Sequence, residues 1–179
     1  MKTQYIVSGY ARSGTSMMMR CLDLGGIPAY YDKTRTVKEG TNKYGSYEVP
    51  LMESKSDEAW DTNFRSMFEH PGEAVKILCH KMEFIPQDRP YNVIIMLRDP
   101  EKIYQSYMRA WGPEYSMVMH DANLIKKGDM YARLMINLIL KCHSMENVNA
   151  AIVFYDAVIK DPIKQFEHLR CLGWDIDPE

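Results

Sequence analysis

The sequence predicts an α/β fold: three layers, with a central, mainly parallel sheet flanked by helices. Three observations point there. Short apolar segments rich in Val and Ile recur at 4–8, 74–79, 93–97 and 151–154. They are hydrophobic on both faces, as buried parallel strands are. Helical start and stop signals lie between them, so strand and helix alternate.

Each element carries its own local reason. The first strand, 4–8, runs into a loop that opens directly into a helix over 15–24, and Gly25-Gly26 ends that helix. Asp99-Pro100 starts another, with Asp as N-cap and Pro at the first helical position. Asp129 is expected to cap a long helix reaching about Ser144. Asp161-Pro162 opens the last helix and Gly173 stops it. The region 30–60, mixed in Lys, Thr, Gly, Tyr and Glu, is expected to form loops and short helices over the ligand edge. With no repeat or linker, the 179 residues read as a single domain.

Composition narrows the function classes. Apolar residues make up 46% and charged residues 26%, an ordinary soluble balance. The formal net charge of −2 supplies no basic field for nucleic acid or an acidic membrane. Neither partner is expected, and an anionic ligand must be met by a few focused cations. The longest apolar run, 134–140, is too short to span a bilayer. No leader pattern precedes the first strand, and the expected location is cytoplasmic. Cys21, Cys79, Cys142 and Cys171 are scattered without a C-x-x-C pair, so they read as reduced, partly buried thiols. Met17, Met18 and Met19, on the first helix, read as adaptable core filler.

The most informative stretch is Gly9-Tyr10-Ala11-Arg12-Ser13-Gly14-Thr15-Ser16. Two glycines five apart, followed by two small hydroxyl residues at a helix start, have the spacing of a phosphate-cradling loop. The nucleotide-triphosphate version has Lys after the second glycine; here that position is Thr15, and the cation lies inside the loop as Arg12. The fold is therefore P-loop-like, with a loop altered for something other than ordinary ATP hydrolysis. A second constellation follows the central strand: Arg98-Asp99-Pro100, then Ser106 about two turns into the next helix. An arginine fork and a hydroxyl so arranged can grip one phosphate. The plainer alternative pairs Arg98 with a carboxylate and leaves Ser106 on the helix surface.

Together these segments closely resemble the two nucleotide-binding signatures of the sulfotransferases that use 3′-phosphoadenosine 5′-phosphosulfate (PAPS). Arg12-Ser13-Gly14-Thr15-Ser16 matches the loop that holds the 5′-phosphosulfate in that family. Arg98-Asp99-Pro100 with Ser106 matches the segment that holds the 3′-phosphate. Phe154-Tyr155-Asp156, Asp161-Pro162 and Cys171-Leu172-Gly173 look like the family's carboxyl-terminal pieces. Lys43-Tyr44-Gly45-Ser46-Tyr47-Glu48 is similar to a segment of some bacterial members. The aromatic residue that stacks on adenine in some members is replaced by Met17. Their glycine-rich closing segment would fall beyond Gly173.

The resemblance implies a cytoplasmic transferase that moves a sulfuryl group from PAPS to a hydroxyl or amine acceptor, small-molecule or carbohydrate, by in-line displacement. No metal is expected. Arg12 and the backbone donors of residues 13 to 16 would neutralise the leaving group; Arg12, Ser13, Gly14, Thr15, Ser16, Arg98, Ser106 and Tyr155 would hold the nucleotide. Tyr155 resembles the family tyrosine that contacts adenine, and a buried strand-end tyrosine is the plain alternative. Two candidates compete for the base, Glu48 and His80, with Glu39 a distant third. Lys81 could assist Arg12. His70, His120, His143 and His168 read as structural or surface residues. Two other functions remain open: a nucleotide kinase or NTPase with a degenerate loop, and an inactive nucleotide-binding relic. The sequence does not mark the oligomeric state.

Overall fold

A computed structural model of the protein describes residues 2–33, 47, 49, 64–112 and 128–178. Its elements, in chain order, are β1 (Gln4–Gly9), α1 (Thr15–Leu24), β2 (Ala74–Leu78), a 3-10 helix (Cys79–Phe84), β3 (Tyr91–Leu97), α2 (Pro100–Trp111), α3 (Asp129–His143), β4 (Val148–Phe154), α4 (Tyr155–Lys160) and α5 (Pro162–Cys171). The chain is α/β, and its described strands form a four-stranded, wholly parallel sheet in the order β2-β1-β3-β4.

The apolar strands bury one residue set on each face. Ile6, Val75, Ile77, Val93 and Ile95 pack with Tyr131, Met135, Leu138 and Cys142 of α3 and Ile103 of α2. Val7, Ile94, Met96, Ala151 and Val153 pack with Met18, Met19 and Leu22 of α1, Val158 of α4, and Phe166 and Leu169 of α5. Met18 and Met19 are fully buried core residues, as the sequence suggests. All four cysteines are free thiols; burial pushes Cys79 and Cys142 up to about 11. Among the described residues, no helix is long and apolar enough to cross a membrane.

The caps behave as their chemistry dictates. Asp99 accepts the Glu101 N–H at 2.8 Å and Asp161 accepts the Lys164 N–H at 3.2 Å. Gly25 is the C-cap of α1. Asp129 differs from expectation: it is the first residue of α3, and Gly128 holds the cap position at φ 77°. A left-handed backbone there suits glycine, so aspartate contributes instead to the first turn. β4 also differs. It begins at Val148, earlier than its apolar stretch, and Ile152 and Phe154 are exposed. It pairs with β3 alone among the described strands, so its other edge is unpaired by them. α4 starts directly where β4 ends, with no turn between them.

This topology positions the site. Gly9 is level with Leu78 on one side and Met96 on the other, and Leu97 is level with Phe154, so the four carboxyl ends form one rim. The chain leaves β1 for β2, then crosses back to β3 on the opposite side. The crevice between β1 and β3 is therefore where the topology reverses, the usual ligand position in such sheets.

Candidate functional site

The β1–α1 loop lies at that crevice, and its backbone is bent in ways that limit its residues. Gly9 has φ 150°, and a Cβ there would lie 2.7 Å from Ser13 Oγ and 2.8 Å from the Met96 carbonyl oxygen. Gly14 has φ 103°, and a Cβ there would lie 2.4 Å from Tyr155 Cδ2. Both positions need glycine for conformation and for space. Arg12 also takes a left-handed backbone, φ 69°, a conformation that costs a non-glycine residue roughly 1–2 kcal/mol. The loop holds that strain so that the Arg12 side chain and its carbonyl point to different partners.

Arg98 is the first of these partners. Its guanidinium donates to the Arg12 carbonyl oxygen at 2.9 Å and stacks over the Tyr155 ring, 4.0 Å from the centroid. Its backbone N–H donates to the Tyr131 hydroxyl at 3.0 Å. Burial raises the Tyr131 phenol above its ordinary value, so it stays a neutral hydroxyl near pH 7. Ser106 is the second: its buried hydroxyl accepts from Arg12 Nε at 3.1 Å. The two arginines, Ser106 and Tyr155 thus form one connected group across the tips of β1, β3 and β4. Ser106 meets the Arg12 side chain and Arg98 meets the loop backbone, so both residues of the second constellation reach the first loop.

Two polar atoms, one in the loop and one in this group, lack partners among the described residues. Ser13 Oγ is fully buried in the loop, and Arg98 Nε is buried in the guanidinium that bonds the Arg12 carbonyl. Buried donors without acceptors are costly in a finished core, which makes both atoms natural contacts for a ligand. The Ser13 N–H donates to the Tyr10 carbonyl at 3.1 Å and serves the loop's own turn. Thr15 and Ser16 begin α1, where N–H groups have no carbonyl four residues back. The first turn of α1 carries no acidic side chain and no side-chain cap, so its positive end is left for an anion.

The base candidates sit differently. His80 lies in the 3-10 helix after β2, exposed on the same rim. Desolvation by its surroundings lowers its imidazole below the ordinary value, and Lys81 adds to this while Glu83 opposes it. The shift favours the neutral imidazole, the form that accepts a proton. Lys81 places its ammonium 5.8 Å from the Phe84 ring centroid. Glu48 and Glu39 lie outside the described residues, as does His120. His70 stacks on Tyr30 at 4.2 Å, and His143 and His168 are exposed on the last turns of α3 and α5.

Sequence reasoning missed Lys76 and Tyr131. Lys76 is buried in β2 and donates to Ser16 Oγ at 3.2 Å. Its signal was available: one lysine in the apolar run Ala74-Val75-Lys76-Ile77-Leu78. Tyr131 had no such mark, because its hydroxyl serves a backbone group 33 residues away. No model of a known protein family matches this chain, and a search of curated proteins finds no match either.

Proposed function

We propose that the protein is a PAPS-dependent sulfotransferase with a P-loop-like, three-layer fold. The observation that carries this reading is the convergence of Arg12, Arg98 and Ser106 on one loop at the sheet's reversal point. The loop offers the Thr15 and Ser16 N–H groups and the buried Ser13 hydroxyl to the 5′ anion. Arg98 and Ser106, one on each side of Arg12, supply donors for the 3′-phosphate. Ser106 then exchanges its Arg12 contact for the phosphate, and Arg98 Nε gains an acceptor. Tyr155 already flanks both Gly14 and Arg98, which suits a ring that borders the adenosine.

In this reading, sulfuryl transfer proceeds in line. An acceptor hydroxyl or amine loses its proton to His80 or Glu48 and attacks sulfur. Charge develops on the oxygen that bridges sulfur and the leaving nucleotide, and Arg12 with the helix amides neutralises it. The position where an ATP-using loop holds its lysine is Thr15, which sets this site apart from a kinase. The acceptor is a small molecule or carbohydrate.

Calorimetry with 3′-phosphoadenosine 5′-phosphate, ATP as control, tests the reading. Preferential binding of the first, with sulfation of an acceptor from PAPS in a broad screen, is the expected result. Binding of ATP alone, with magnesium-dependent turnover, would establish the kinase alternative instead.

A further inference from the structure

Lys76 is the only charged side chain among the described residues that is buried, 8% exposed. An ammonium removed from water is costly, and lysine is almost never found this deep without a task. Lys76 lies opposite Val7 in the β1–β2 register, so its side chain shares the sheet face covered by α1. From there Nζ reaches Ser16 Oγ at 3.2 Å, spanning 60 positions in the chain.

Ser16 holds a special place in the loop pattern. Counting from Gly9 and Gly14, it is the hydroxyl position that carries Mg²⁺ in metal-using phosphate loops. In this protein the hydroxyl meets an ammonium. The lysine N–H donates and the serine oxygen accepts, which turns the serine proton away from Lys76. A hydroxyl that accepts from a cation is polarised into a stronger donor.

Building on the anion-loop reading, we propose that Lys76 is the built-in cation of this loop: it takes the place of a divalent ion against Ser16 and orients that hydroxyl toward the 5′ anion of the nucleotide. Lys76 is then a positioning residue acting through Ser16.

The test titrates 3′-phosphoadenosine 5′-phosphate into the full chain, once with a chelator and once with Mg²⁺. Wild-type affinity is expected to be the same in both. Lys76→Met, close in volume and without a buried charge, is expected to bind about ten- to a hundredfold more weakly while melting no lower than wild type. Ser16→Ala provides the second variant should Lys76→Met not fold, and a loss of about tenfold is expected there. Affinity within twofold of wild type in Lys76→Met, or in Ser16→Ala, would overturn the inference, as would a tenfold loss of wild-type affinity on chelation. Wild type that binds no nucleotide under either condition is a different failure, one that removes the anion-loop reading itself.

Discussion

The Arg98 guanidinium donates to the Arg12 carbonyl oxygen at 2.9 Å, joining the tip of β3 to a loop 86 positions earlier. That bond fixes the loop's backbone from outside while the Arg12 side chain turns to Ser106. A single arginine therefore shapes the loop and also keeps a buried Nε that has no partner among the described residues.

Arg98→Ala should weaken 3′-phosphoadenosine 5′-phosphate about ten- to a hundredfold, the scale of lost hydrogen bonds to a charged group. ATP, which lacks the 3′-phosphate, should be weakened much less. Calorimetry on both nucleotides reads the difference, and equal losses would argue that Arg98 only shapes the loop. Arg98→Lys should not restore the affinity, since an ammonium cannot both stack flat on Tyr155 and bond the Arg12 carbonyl as a planar fork.

Gly14→Ala should destabilise the protein by roughly 1–3 kcal/mol, from a left-handed backbone that alanine resists. The new methyl would also press on Tyr155 Cδ2. Urea unfolding of Gly14→Ala, with and without Tyr155→Ala, separates the two causes. The double variant should regain the steric share alone; full recovery would show that the backbone angle costs nothing.

Ser106→Ala removes the acceptor of Arg12 Nε and should cost about 1 kcal/mol of stability. Nucleotide affinity should fall as well, because a phosphate loses the same hydroxyl. A variant of unchanged affinity, measured beside its unfolding curve, would confine Ser106 to a structural role.

His80 gives a prediction with a defined sign. Its folded value is lowered by desolvation, so the unfolded chain binds the proton more readily. The neutral imidazole's share of stability is present above the ordinary histidine value and is lost as pH falls through the lowered folded one. Unfolding curves across the acidic range should show this loss in wild type and not in His80→Asn. If His80 is the base, sulfation should also rise with pH through that lowered value and level off above it. A profile that Glu48→Gln abolishes while His80→Asn leaves it intact would assign the base to Glu48.

Much of this arrangement was legible from local chemistry. The spacing of Gly9 and Gly14 marked the loop, and Asp99 and Asp161 marked two helix starts that their side chains indeed cap. Where local signals ran out, the deciding contact was remote. Val148-Asn149-Ala150 does not read as a strand because it is half-buried or exposed at the end of the described sheet, so its sequence carries no apolar pattern. The start of α4 carries no turn signal, since Phe154 passes into Tyr155 without a break. Lys76 meets Ser16 because α1 carries that hydroxyl to it from 60 positions away. The contacts of Arg98 and Ser106 with Arg12 follow from how the strand tips meet, which no spacing within one segment encodes.

The cover that Tyr155 places over Gly14 has a consequence for biogenesis. β1 is synthesised before β2 and β3, the two strands that flank it, and the ring that closes its turn follows Gly14 by more than 140 residues. A translating chain would hold an exposed, half-built cradle until Tyr155 emerges, and only then could the turn close.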